Sequence, residues 1–457
     1  MKTTKRRMEF FSIYNHTGIA AHLTKMAKKG WMIESITNAY WTYRKIEPKD
    51  IHFSVSYYPR ASDFDPEPTE EQQTFHDFCA HTGWEYVCSW FQMQVFCNER
   101  ANPLPLDTDP ITEVDTLHRA CKKNFLIGFY FLLAVGLIAS VYSIAGIFFV
   151  PIDFFSSSNK MVLLLTWLSA FALALAEVVT YWTWHSKAKK AAQDGIFVDT
   201  PNTGTFQKGV LVVLLIGMVW WFSNLFAAGN SLMLTIAIAN LFITFGVIFL
   251  VNFIKQALKK AKASRGMNKF LTFAACFFLP VIFTVALVYG GITSMENDWI
   301  SSGPSGEDTT PLSLQDFIEI NEDRYMEENR IEQTFLLGKQ TYHHRMPWDV
   351  EGSSTAPDLK YTIVTVKAPF LYDWCKRQMY RDQDETHTDE WPVGNRRVYM
   401  EQDAAPWKAN EVYRIYSEEG WWENLYLLCY DDKIVEIRFD WEPTAEDMAI
   451  VASKLNP

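Results

Sequence analysis

Acidic side chains are nearly missing from the middle of this chain: residues 119–292 hold four Asp or Glu against 14 Lys or Arg. That scarcity excludes an evenly mixed soluble protein, although 49% hydrophobic content and a mean hydropathy of -0.07 would suit one. Net charge runs from -4 over residues 1–118 to +10 over 119–292 and -17 over 293–457. Neither flank has the basic excess that phosphate neutralisation needs, so nucleic acid is excluded as a partner. No Walker loop, dinucleotide fingerprint, HExxH helix or nucleophile elbow occurs, so the reading is non-enzymatic, with no catalytic residues and no cofactor. The first thirty residues lack an apolar core of roughly 7 to 15 residues, so no signal peptide is expected and the first apolar helix directs insertion.

What the middle does have is length without charge. A hydrocarbon core about 30 Å thick requires roughly 20 apolar helical residues. Five stretches meet this: Phe125 to Val150, Met161 to Trp184, Gly209 to Ala227, Leu232 to Ile254 and Phe270 to Ile292. One such run fits a buried core helix of a soluble domain, but five in succession predict a multi-pass membrane protein embedded in a lipid bilayer. The expected organisation is a cytoplasmic domain (1–118), a five-helix membrane region (119–292), a Ser/Gly/Pro linker (293–311) and an extracytoplasmic α+β domain (312–457). Arg119, Lys122 and Lys123, the lysines between Lys187 and Lys208, and the basic cluster from Lys255 to Lys269 fall on one side of the spans, which sets the N-terminus in the cytoplasm. An odd span count then puts the C-terminus outside, provided residues 228–231 form a turn.

In the first domain, a strand within Met8–Ile13 leads to a helix through Ile19, Leu23 and Met26 that stops at Gly30. Strands follow over Trp31–Ile46 and Phe53–Tyr57, joined by a hairpin around Pro48–Asp50. A second helix capped by Thr69 and Gln72 ends near Gly83, and a last strand covers Trp84–Cys97. The order β-α-β-β-α-β, with Gly30-Trp31 and Gly83-Trp84 at matching corners, predicts a ferredoxin-like sandwich. The run Met26-Ala27-Lys28-Lys29-Gly30-Trp31, Tyr40 and Tyr43 in the next strand, and the Gly83-Trp84 repeat together resemble a bacterial membrane-protein family, domain of unknown function 2812 (DUF2812), over roughly residues 5 to 115. The resemblance implies a Gram-positive cell-membrane protein linked by gene context to PadR-type regulators, with a role in envelope sensing or stress response and no catalytic residues to carry over.

In the last domain, Leu314–Ile318 predicts a helix, Ile363–Val366 and Val398 strands, Leu425–Tyr430 with Ile434–Trp441 a hairpin, and Thr444 with Asp447 a capped final helix. Its acidity allows an extracellular cationic ligand or simple solubility. Cys375 and Cys429 allow a disulfide or two separate buried thiols.

Candidate chemistry is sparse. His76, Cys79 and His81 share one predicted helix, but His81 lies about 200° around it from Cys79, so no metal set converges. His343-His344 and the group His387, Asp389 and Glu390 are expected in loops. Glu177 is the one ionisable residue well inside a span, where a charge costs roughly 2.5 to 3.5 kcal/mol, so a partner, a cavity or water should face it; the alternative is a neutral or snorkelling side chain about two turns from the cytoplasmic end. Asn224, Asn240 and Asn252 offer hydrogen bonds between helices. The expected function is a membrane sensor or interaction protein with a cytoplasmic protein partner; the alternative is a small transporter or an efflux or resistance accessory that uses Glu177.

Overall fold

The computed structural model describes residues 3–37, 39–66, 68–123, 125–227, 231–296, 310–320, 325–346, 356–384, 397–417 and 420–455. They fall into two compact units. One joins Met1–Ala139, Thr166–Gly217 and Ser231–Ile300; the other joins Ser140–Leu165, Met218–Asn230 and Ser301–Pro457.

The first unit begins with β1 (Thr4–Arg7), α1 (His16–Ala27), β2 (Trp31–Ile36) and β3 (Trp41–Lys45). A second set repeats that order as β4 (His52–Tyr57), α2 (Glu70–His81), β5 (Glu85–Trp90) and β6 (Met93–Asn98). Each set closes its own three-stranded antiparallel sheet, ordered β1-β3-β2 and β4-β6-β5. The duplication expected from the two Gly-Trp corners is therefore present, but its unit is β-α-β-β, and two separate sheets replace the single sheet of a ferredoxin-like fold. Two local features escaped the sequence pattern. Trp31–Ile46 breaks into a hairpin at Thr37–Tyr40, where the Thr37 hydroxyl donates to the Tyr40 carbonyl at 2.7 Å. Trp84–Cys97 turns back within two residues at Phe91-Gln92. The expected hairpin at Pro48–Asp50 is instead the connection between the sheets, and Met8–Ile13 follows β1 as an irregular segment that enters a turn at Ile13.

The repeat reaches backbone detail. Gly30 N–H donates to Ala27 at 2.9 Å and Gly83 N–H to Ala80 at 2.9 Å, both glycines at positive φ (79° and 91°). Each sheet then shifts register two residues past its tryptophan, between Ile33 and Ser35 and between Tyr86 and Cys88.

After α3 (Pro110–Lys123), the helices are α4 (Phe125–Phe149), α5 (Pro151–Phe155), α6 (Ser158–Gln193), α7 (Gly204–Ala227), α8 (Ser231–Lys260) and α9 (Arg265–Glu296). All except α3 and α5 are long and apolar enough to cross a membrane, and at most 22% of the apolar window of any of them is buried in protein. Bare apolar surface on that scale belongs against lipid, so the chain is a multi-pass membrane protein. Residues 228–230, on which the expected outer turn falls, lie outside the described residues. The basic caps Lys259 and Lys260 extend α8 beyond its apolar run, and α9 starts five residues later at Arg265. α8 and α9 pack against each other, and α9 carries Pro280 within it. α6 is the outlier at 36 residues, roughly 54 Å at 1.5 Å per residue.

The second unit carries β7 (Met326–Gln333), β8 (Leu337–Arg345), β9 (Leu359–Val366), α10 (Tyr372–Asp384), β10 (Arg397–Gln402), β11 (Glu411–Ser417), β12 (Trp422–Cys429), β13 (Lys433–Phe439) and α11 (Ala445–Leu455). Its seven strands form one antiparallel sheet, β10-β11-β12-β13-β9-β8-β7. The β12–β13 hairpin is the predicted one, pairing Cys429 with Ile434. Val435, Ile437 and Phe439 face the core that takes Val451 and Leu455 of α11. Ile434, Leu427 and Val364 face the opposite core, with Leu371, Cys375 and Met379 around α10. The predicted box holds: Thr444 N–H donates to Asp447 at 2.8 Å and Asp447 N–H to Thr444 Oγ1 at 3.2 Å. Leu314–Ile318 shortens to a single 3-10 turn, Leu314–Asp316.

Candidate functional site

Glu177 of α6 is 1% exposed. Ser12, in the segment after β1, donates to its Oε2 at 2.6 Å. Thr203 donates to Oε1 at 2.6 Å, and Gln207 Nε2 reaches the same oxygen at 2.8 Å. Ser12 and Thr203 hydroxyls lie 2.8 Å apart, and Gln207 also donates to both. One carboxylate thus gathers the N-terminal domain, α6 and the start of α7. Among the described residues no Lys, Arg or His forms an ion pair with it. A buried carboxylate ordinarily also gains a cationic partner.

The fold puts Glu177 here because the inner part of α6 is core. Tyr181, Trp184 and Ala188 belong to the same buried cluster as Ile19, Leu23, Val55 and Leu117. Tyr14, fully buried, sets its ring edge-on to Tyr181 at 5.4 Å and near-parallel to Trp184 at 6.4 Å. Burial first, and then the Glu177 charge, push the Tyr14 phenol upward. The apolar run to Trp184, read from sequence as lipid-facing, therefore ends against protein. Glu177 is accordingly where the N-terminal domain meets α6.

Two hollows flank this hub. One, of about 470 Å³, is walled by Phe11, Trp90, Phe91, Phe125 and Phe129, with Ser12, Ile13, Glu177 and Gln207 completing the lining. The other, of about 310 Å³, is basic: Arg7, Lys25, Lys29 and Lys208 surround Glu9 and His22. Glu9 pairs with Arg7 at 3.1 Å and His22 at 3.3 Å. Burial lowers the His22 pKa, opposed by Glu9. Lys208 sits 5.6 Å above the Phe10 ring.

A second fastening joins the acidic loop after β4 to the α8–α9 corner. Asp63 pairs with Lys255 at 2.6 Å, Asp65 receives Arg265 at 2.6 and 2.5 Å, and Asn268 donates to the Phe64 carbonyl at 3.1 Å. Lys255 and Arg265, which the charge pattern marked only as loop cations, are thus partners of the N-terminal domain.

The remaining sequence candidates scatter. His76 stacks on Tyr86 at 4.2 Å and meets Gln94 at 3.2 Å, Cys79 is buried beside Trp84, and His81 bonds the Asp77 carbonyl at 2.7 Å. Thr69 caps α2 as expected, but the Gln72 side chain turns to Gln94 at 3.1 Å instead of closing the box. His343 and His344 lie on β8, not in a loop, with His343 2.9 Å from Asp358. His387, Asp389 and Glu390 lie outside the described residues. Asn224, Asn240 and Asn252 bond the carbonyl four residues back on their own helices, at 2.9, 3.0 and 2.9 Å. Cys375 and Cys429 are free buried thiols of one core, raised by burial to about 12 and about 11. Trp421 and Trp422 are exposed, the latter packed on Tyr416 at 4.9 Å.

Sequence reasoning found Glu177 but missed what holds it. Ser12, Thr203 and Gln207 carry no local motif and meet Glu177 only through the fold. The helix α3 did have a signal: Asp109 caps it through Ile111 N–H and Thr112 N–H at 3.1 Å each, ahead of Pro110 at its first position.

With this geometry in hand, the class is a multi-pass membrane protein with a duplicated β-α-β-β domain at its N-terminus. Residues 17–130 match the family described as protein of unknown function (DUF2812), the family that the Gly-Trp corners resemble. No curated protein and no solved structure matches the chain.

Proposed function

We propose that the chain is a non-enzymatic membrane sensor or interaction protein, in which the N-terminal domain follows the state of the spans and presents it to a cytoplasmic protein partner. The observation that carries this reading is the Glu177 hub, which makes Ser12, α6 and α7 share one set of hydrogen bonds. Any shift of α7 against α6 must break or re-form bonds that fix the segment leading into α1. The basic loops facing the N-terminal domain support a cytoplasmic N-terminus, and five spans then carry the C-terminal domain outside.

The test uses the full chain in nanodiscs. Ser12→Ala combined with Gln207→Leu should raise hydrogen exchange across residues 8–20 while leaving the spans protected; unchanged exchange there would end the coupling idea. Cysteine labelling in intact cells should reach the C-terminal tail and spare the 185–208 loop, and the opposite result would reverse the sidedness.

A further inference from the structure

Glu177 presents an incomplete ion pair at the edge of an aromatic hollow. The carboxylate is 1% exposed, holds three neutral donors and has no cationic partner among the described residues. Beside it, Phe11, Trp90, Phe91, Phe125 and Phe129 line a space of about 470 Å³. Aromatic faces carry negative electrostatic potential, so such walls attract a cation as well as apolar surface. Phe91 reaches this wall from a backbone at φ 52°, a left-handed conformation costly for a residue with a side chain. It stands first in the two-residue β5–β6 turn, where glycine would be free of that cost. Strain of this kind persists where the position of the side chain matters.

We infer that the hollow is a binding site for a lipophilic organic cation of the quaternary or tertiary ammonium class, with its charge held between the Glu177 carboxylate and the aromatic walls. The type of cation follows from what the site lacks. The Ser12, Thr203 and Glu177 oxygens are engaged with one another, and among the lining side chains the Gln207 carbonyl oxygen is the one further acceptor. A primary ammonium or guanidinium would leave several N–H donors unpaired, whereas a diffuse, weakly hydrated charge needs none. Both attractions are electrostatic, so a neutral molecule of the same shape should fit the space and bind poorly. The inference names a ligand class for the hub on which the sensor reading rests, but binding is measured separately from coupling.

The experiment is calorimetric titration of the full chain in nanodiscs, with empty nanodiscs subtracted, using benzyltrimethylammonium, its uncharged carbon isostere neopentylbenzene, and benzenesulfonate. The cation should bind saturably, the isostere about tenfold more weakly or less, and the anion not at all. Glu177→Gln should lower cation affinity about tenfold or more, because one partner of a desolvated charge pair is gone. Trp90→Leu and Phe129→Leu leave the hub intact. They should each weaken the cation about threefold to tenfold while hardly moving the isostere. They therefore decide the matter even where Glu177→Gln fails to fold. Equal affinity for cation and isostere, full affinity in folded Glu177→Gln, or no saturable cation binding at all would overturn the site. Binding without any change in exchange over residues 8–20 would uphold the site and count against the sensor reading.

Discussion

The two β-α-β-β halves of the N-terminal domain share strand order, helix corner and bulge, yet their helices do unequal work. α1 buries His16, Ile19, Leu23, Met26 and Ala27, whereas α2 buries only Gln72 and Cys79 and leaves Phe78 67% exposed. The Gly-Trp corners align Leu23 with His76 and Met26 with Cys79, 53 positions apart. α1 lies against β4 of the other half as well as its own β2, and so sits at the centre of the core that also takes Tyr181 and Trp184 of α6. α2 covers its own sheet. Identical topology thus sets neither burial nor role: one copy became the connection to the membrane helices, and the other kept a solvent-facing helix and sent its β5–β6 turn to the aromatic hollow.

The largest effect should come from truncating the aligned pair. Leu23→Ala removes a side chain 1% exposed within a core drawn from nine elements, and should cost about 2–5 kcal/mol. His76→Ala loses a ring stacked on Tyr86 and one bond to Gln94 at the surface, and should cost under about 1 kcal/mol. Thermal unfolding of both variants in nanodiscs, against the parent chain, measures the difference. Equal losses would mean that α2 supports the core as much as α1, contrary to the burial pattern.

How far the sequence discloses this arrangement depends on whether a feature is local. The five spans, the Gly-Trp corners, the β12–β13 hairpin and the Thr444 cap were legible because length, period and capping act within a few residues. The split of Trp31–Ile46 was not, because Thr37–Tyr40 contains neither glycine nor proline to mark the turn. Nor was Phe91-Gln92, where a phenylalanine occupies a conformation usually left to glycine. α10 was not read as a helix, although Cys375 and Met379 lie four residues apart on its buried side, one turn beyond Leu371. Glu177 was visible as a charge in an apolar run, but its surroundings come from Ser12 and Gln207, 165 and 30 residues away. Sequence spacing carries no record of such contacts.

A second pair of substitutions sharpens the comparison at the corners. Both glycines hold positive φ, so alanine is strained at either by about 1 kcal/mol. The space differs. A Cβ on Gly30 would sit 2.9 Å from the Ile46 carbonyl oxygen, while on Gly83 it would sit 2.9 Å from the end of the Arg100 side chain. Arginine can swing away, and a backbone carbonyl cannot. Gly30→Ala should therefore cost about 2 kcal/mol or more and Gly83→Ala about 1 kcal/mol, read by the same unfolding measurement. A Gly83→Ala cost as large as that of Gly30→Ala would show that the second corner is as tightly packed as the first.

A last comparison lies where the two halves meet. Asp107, past β6, shares a small pocket with His16 of α1, Ser56 and Tyr57 of β4, and Glu113 of α3, which pairs with His16 at 2.6 Å. Burial, and then the nearby Glu113 charge, raise Asp107 to about 6, against the opposing pull of His16 and the Ser56 hydroxyl. Since an unfolded aspartate releases its proton near pH 4, the folded chain holds one more proton between about pH 4 and 6. Stability contributed by this group must then fall as pH rises through that window and level off above it. Asp107→Asn cannot ionise, so it should remove that slope and stabilise the chain at pH 7 by about 1–2 kcal/mol, after allowing for partial solvent screening. Unfolding curves of parent and variant at pH 5 and pH 7.5 provide the check: the gap between them should widen with pH. A gap that stays constant would mean that Asp107 is ionised throughout and that the junction of the halves is wetter than its geometry indicates.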